Sequence, residues 1–374
     1  MVIYSSRNFY EISSEERKMS SVINKIYNQK IVQMPTYVSS TEYEVIMGSE
    51  AYGVSSGSSD IDIYGFCIPS KESIFPHLSG EIQGFDEPKN KFEQWQQHHV
   101  KMNEKEYDFQ IFNIVKYFKL LSQNNPNICD SLFVPQRCVI HSTKIGEHIR
   151  LNRDVFLHKG AYHKFTGYLF SQLHKAKEKT YVSLSEILWE DYGIDTIDLE
   201  KDIKDSGNLT IEIIKEALEK NEFIVTEDTL KRFNDLLSKQ KNGISAKRFS
   251  SVLKNGADTK FLYHIVRLAD EIEQILSTGT LDLERSKEMM KAVRRGEMSL
   301  EEVETWAYEK QKLLEKLYHE SNVIPHSPDM KKIKGILLDC LEMKFGTIDN
   351  FVSDQSSDKD ALFKIRDILK TRNI

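Results

Sequence analysis

The segment IMGSEAYGVSSGSSDIDIYGFCIPS, residues 46–70, places a glycine and a serine directly after apolar residues, then a run of small residues, then two aspartates separated by an isoleucine. Each choice has a chemical consequence. Gly48 has no side chain, so backbone amides and the Ser49 hydroxyl can approach phosphate oxygens closely. Ala51 and Gly53 keep the following residues small. Asp60 and Asp62 alternate with Ile61 and Ile63, which in a strand puts both carboxylates on one face and both isoleucines on the other. Two such carboxylates repel unless solvent, a basic residue or a cation intervenes. A hard, partial oxygen set of this kind suits magnesium bound together with substrate phosphates. Asp108, in EYDFQIF, would complete a three-carboxylate site from another strand, and Glu106 shares its face. Two metal ions in such a site activate an attacking hydroxyl and stabilise a leaving pyrophosphate, so the expected chemistry is phosphoryl or nucleotidyl transfer.

A second set lies far along the chain. In TKFLYHIVRLADEI, Lys260, His264 and Arg267 fall at i, i+4 and i+7 on one helical face, able to meet a triphosphate or an RNA backbone, or to form a solvated basic stripe. Lys164, Tyr168 and Gln172 repeat the spacing and read as an ordinary helix face. Arg294 and Arg295, in KAVRRGEMS, read as a helix end with a glycine cap. Ser58 and Ser59 read first as turn formers, with Ser59 kept among the nucleotide-binding candidates. His98 and His99 read as surface histidines, Trp95 and Tyr107 as packing residues.

The elements that must position these groups follow from periodicity. Residues 14–30, with a serine ahead of two glutamates and an apolar Val22, Ile23, Ile26, Tyr27 stripe, predict a capped amphipathic helix. TEYEVIMGS, SDIDIYGFCI and EYDFQIF predict strands. Residues 80–105 read as a polar connection, and NIVKYFKLLSQ as a helix ending near NNPN. From about residue 146 helical periodicity dominates. The expected fold is therefore α/β (α+β), a small mixed sheet with flanking helices over residues 1–145, followed by a mainly helical domain over 146–374 that completes the cleft.

Composition narrows the partners. Hydrophobic residues make up 40% and charged residues 29% of the 374, an ordinary globular balance. A net charge of −6 disfavours sequence-independent adhesion to nucleic acid and leaves only a local basic cleft for it. Cys67, Cys129, Cys138 and Cys340 lack the paired spacing of a zinc site and read as inert thiols. No signal-like start and no run near the roughly 20 apolar residues that cross a bilayer is evident, which gives the expectation of a cytoplasmic protein without a membrane partner. A composition rich in Lys, Asn and Ile suits an AT-rich bacterial or phage genome.

The segment GSEAYGVSSGSSDIDIYGF resembles the signature of the DNA polymerase β type nucleotidyltransferase superfamily, a Gly-Ser turn followed about ten residues on by Asp-apolar-Asp. It is most similar to the bacterial and phage nucleotidyltransferases of the RNA-ligase-associated type, and YDFQIFNIVKYFKLLSQNNPNICDSLF resembles their later strand, helix and N-P-N element. The resemblance implies that Gly48 and Ser49 form the triphosphate turn. It implies that Asp60 and Asp62 hold two magnesium ions, with manganese as an alternative, and that Asp108 is the third carboxylate and activates the acceptor hydroxyl. It also raises Lys260, His264 and Arg267 as triphosphate or RNA contacts. The implied activity moves a nucleoside monophosphate from a nucleoside triphosphate to a hydroxyl, with an RNA or tRNA end preferred. A protein side chain, a small molecule, or a catalytically silent nucleotide-binding module are the alternatives. Nucleotide identity, oligomeric state and the role of residues 177–245 are not written in the motif.

Overall fold

Glu44 explains how the chain begins to fold. It is wholly buried on strand β1 (Thr41–Ile46), and its carboxylate accepts hydrogen bonds from the backbone amides of Val22 at 2.8 Å and Ile23 at 3.4 Å. These amides open helix α1 (Val22–Asn28), whose N-cap is Ser21, so an acidic group meets the positive end of the helix. The pairing fixes α1 across the sheet, where Ile23 and Ile26 pack on Ile63, Phe109 and Ile111. The computed structural model describes residues 21–55, 60–74, 92–103, 105–177, 180–206, 208–238, 244–245 and 257–346. The expected helix start at residue 14 lies outside these.

β2 (Ile61–Cys67), β3 (Gln94–Met102), β4 (Lys105–Asn113) and β5 (Val139–Ser142) complete a five-stranded mixed sheet in the order β3-β4-β2-β1-β5. β2 and β4 are parallel and every other pairing is antiparallel. The parallel register sets Asp62 opposite Asp108. β3 corrects the sequence reading, which gave residues 80–105 to a connection. It is an edge strand with one face in solvent, so its outward positions are polar while Val100 and Met102 supply the buried side. Trp95 and Tyr107 pack on Phe109, as packing residues should.

Helices follow: α2 (Lys71–Ile74), α3 (Ile114–Ser122), α4 (Pro126–Phe133), α5 (Lys144–Leu151), α6 (Gly160–Lys177), α7 (Thr180–Tyr192), α8 (Glu200–Ser206), α9 (Ile211–Lys220) and α10 (Glu227–Ser238). A two-stranded pair, β6 (Asn208–Leu209) with β7 (Ile244–Ser245), lies among them. Then come α11 (Thr259–Thr278), α12 (Lys287–Arg294), α13 (Leu300–Glu320) and α14 (Met330–Phe345). The N-P-N element opens α4, where the Asn125 side chain caps Ile128 N and Pro126 fills the first turn, which has no need of its amide.

One apolar cluster runs from the sheet face into the helices, joining Tyr43, Phe66 and Phe112 to Phe165 on α6, Ile265 on α11 and Leu314 on α13. It is continuous across residue 145. Residues 184–233 instead pack around a cluster of their own, from Leu184 to Phe233. α11 is the axis of the helical part, buried on nearly every side between α6, α12 and α13. All four cysteines are buried free thiols, and no helix among the described residues is long and apolar enough to cross a membrane.

Candidate active site

The turn after β1 is held from both ends. Gly48 has φ of 66°, a conformation that favours glycine, and its Cα faces the Asp62 carboxylate, which a Cβ there would push aside. Met47 N donates to the Asp62 carbonyl at 2.8 Å, and Val54 N to the Ser49 carbonyl at 2.9 Å, which winds residues 48–54 back on themselves. Ala51 and Tyr52 point inward and are buried. One side of the turn faces Asp62, and the other is buried as an anchor.

The anchor is electrostatic. The Tyr52 hydroxyl donates to Asp130 Oδ2 at 2.8 Å, Arg267 Nη1 lies 2.7 Å from the same oxygen and also donates to the Tyr52 hydroxyl, and the guanidinium stands over the Tyr52 ring at 4.6 Å. Arg267 is 2% exposed and Asp130 fully buried, with Glu271 at 3.7 Å on the next turn of α11. Burial raises the pKa of both acids against the pull of Arg267. Arg137 adds a rim contact, donating to the Glu50 carbonyl at 3.1 Å while pairing with Glu284 at 2.8 Å.

Of the three carboxylates, the strand pairing sets Asp62 and Asp108 side by side, and Asp60 stands outside the strand. Asp60 is exposed just ahead of β2, while Ser59 lies outside the described residues. Asp62 is half-buried, and burial, then the charge of Asp108, pushes its pKa up, with Lys260 opposing and Asp60 adding to the rise. Asp108 goes the other way. Burial alone would raise it, but the amide of His99 at 2.8 Å and the imidazole of His98 at 3.0 Å hold it below the ordinary carboxylate range. A β-bulge between Gln97 and Val100 turns these histidines toward β4, with His99 at φ 57° and also bonded to Glu106. The Gln96 amide donates to His98 Nε2 at 2.7 Å, which leaves Nδ1–H for Asp108.

Among the described residues, no three carboxylate, imidazole or thiolate side chains close on a common centre. The donor chemistry of Asp60, Asp62 and Asp108 nonetheless fits a divalent cation. It is all hard oxygen, and the Asp62 carboxyl is raised by burial and then by like charges, the second of which a cation would offset.

The basic stripe on α11 divides. Lys260 is exposed and its charge reaches Asp62. His264 stacks by Tyr263 at 4.1 Å, and burial, then Arg267, Lys260 and Arg294, drives its pKa well below the usual value, so it is a neutral imidazole at pH 7. Arg267, expected among the nucleotide contacts, is turned into the core because α11 has no solvent side at that position. Tyr64 and Tyr263, both pushed up to about 12 by burial, border Asp62, and Tyr168 adjoins them. Asp130 and the anchoring part of Tyr52 escaped the sequence reading, since partners 78 positions apart leave no local pattern. The only sequence signal near them was the i,i+4 spacing of Arg267 and Glu271.

Comparison with known proteins gives one family match. Residues 17–190 match the model of a family described as the RNA repair pathway DNA polymerase beta family, a stretch that includes the turn, the three aspartates and Asp130. No curated protein and no solved structure matches the chain significantly.

Two outcomes follow from the charges. Arg267→Ala leaves Asp130 and Glu271 buried without their cation and costs about 3–5 kcal/mol in denaturant unfolding. A loss within experimental error would mean the pair is not what anchors the turn. The Asp62 carboxyl is raised on folding, so its ionisation opposes folding above the ordinary aspartate range. In chelator at pH 7, Asp62→Asn therefore melts at or above the temperature of the intact chain, and the gap closes below about pH 3.9, where both side chains are neutral. A lower melting temperature at pH 7 would contradict the repulsion.

Proposed function

We propose that this chain, whose residues 17–190 are of the polymerase β nucleotidyltransferase type, moves a nucleoside monophosphate from a nucleoside triphosphate to a hydroxyl of RNA and releases pyrophosphate. The observation that carries the reading is the in-register pair of Asp62 and Asp108 on parallel strands, beside a turn that opens on Gly48 at φ 66° against Asp62.

The residues divide the work. Gly48 and Ser49 offer backbone amides and a hydroxyl to the triphosphate, and Lys260 adds positive charge from α11. Asp60, Asp62 and Asp108 would hold magnesium or manganese ions, which supply charge neutralisation on the phosphates when bound. Asp108 is ionised at neutral pH and orients the acceptor hydroxyl. The hydroxyl oxygen bonds to the α-phosphorus, its proton passes to the Asp108 carboxylate, and the bond from the α-phosphorus to the bridging oxygen breaks with its electron pair leaving on pyrophosphate. Tyr64 and Tyr263 stay protonated beside Asp62.

RNA as acceptor rests on the description of the matching family, since a net charge of −6 offers no general affinity for a polyanion. The second reading is a catalytically silent nucleotide-binding module, and the observation favouring it is that His98 and His99 already engage Asp108.

The test incubates the purified chain with each α-labelled nucleoside triphosphate, magnesium and total bacterial RNA. Label appears on RNA with the intact chain, and falls at least about 100-fold in Asp60→Asn and Asp62→Asn, a loss of several kcal/mol of charge stabilisation. Label on protein or on a small molecule would overturn the RNA acceptor. Nucleotide binding without transfer would put the silent module first, and normal turnover in either variant would sink the carboxylate mechanism.

A further inference from the structure

Arg294 ends α12, two residues before Gly296 with its φ of 80°, and by sequence it is a helix-end arginine like its neighbour. Arg295 behaves that way, exposed and paired with Glu297 at 3.0 Å. Arg294 does not. It crosses back over the chain, where Nη1 donates to the Val54 carbonyl at 2.6 Å and the guanidinium lies 5.3 Å from the centre of the Tyr263 ring. Val54 closes the turn that Gly48 opens against Asp62, so one end of the turn meets a carboxylate and the other a guanidinium.

The state of that guanidinium is the informative part. Among the described residues, Arg137, Arg232, Arg267, Arg285 and Arg295 each face a carboxylate; Arg150, Arg153 and Arg294 do not, but Arg150 donates to Gln136 and Val134 and Arg153 lies over the Phe133 ring, whereas Arg294 is the one of the three set against the turn after β1. One of its five N–H groups is engaged by Val54, and contact with the Tyr263 ring uses its face and no N–H. A half-buried, permanently charged fork that pairs with no acid among the described residues, set against the turn, is matched to an anion that arrives from outside. The turn beside it is the cradle for that anion, and Tyr263 and Lys260 share α11, which links the fork to the side of Asp62.

We propose that Arg294 is the guanidinium that receives the β- and γ-phosphates of the nucleoside triphosphate, the role the stripe on α11 had suggested for Arg267. This rests on the nucleotidyl-transfer reading of the same site. Held by Val54 and steadied by Tyr263, the fork meets the polyphosphate with little loss of side-chain freedom.

Titration calorimetry with inorganic tripolyphosphate at 0.15 M salt, without metal, tests it on the full chain. The intact chain and Arg295→Gln bind alike, Arg294→Gln binds at least tenfold more weakly, and Arg294→Lys recovers part of the loss because a point charge remains. Equal affinity in the intact chain and Arg294→Gln overturns the assignment. So does an equal loss in Arg294→Gln and Arg294→Lys, which would mean the turn had collapsed rather than lost a phosphate contact. No binding by the intact chain overturns the triphosphate reading on which the assignment stands.

Discussion

The buried pairing of Arg267 with Asp130, closed by the Tyr52 hydroxyl, is the constraint on which the other features depend. A guanidinium 2% exposed is tolerable only where a carboxylate meets it with good geometry. That need fixes three parts of the chain at once: the turn after β1 through Tyr52, α4 through Asp130, and α11 through Arg267. The sheet and the helices consequently share one apolar cluster, and the turn cannot move independently of either. Glu271 makes the centre acid-rich, and burial raises the pKa of both acids against the pull of Arg267.

The carboxylate face follows the opposite logic. Asp62 and Asp108 stand side by side because β2 and β4 are parallel in that register, and nothing on the sheet neutralises both. The fold responds with a cation and hydrogen-bond donors at the margin, Lys260 toward Asp62 and the bulged His98 and His99 toward Asp108. A structural centre is sealed around its cation, whereas this one stays open and only partly compensated. Such a difference is what separates charge used for anchoring from charge available for a substrate.

Much of this was legible in the sequence because strand alternation and turn chemistry are local. β1, β2, β4 and the glycine at position 48 follow from neighbours a few residues apart, whereas the meeting of Asp62 with Asp108 depends on the parallel pairing of two strands far apart in the chain. β3 was not legible, since an edge strand shows its polar face to water and so reads as a connection. The fate of Arg267 was hidden for another reason: i, i+4, i+7 spacing identifies a face, but in a helix buried nearly all round it cannot say which face meets solvent. Arg294 was missed because its partner Val54 is 240 positions away.

The most direct test of nucleotidyl transfer at this centre is the fate of the phosphates. With γ-labelled nucleoside triphosphate, magnesium and RNA, the label should leave as pyrophosphate, mole for mole with nucleoside monophosphate gained by the acceptor, and Asp62→Asn should release none. Label recovered as inorganic phosphate, or on the acceptor itself, would show attack at the γ-phosphorus and contradict the assignment of this site.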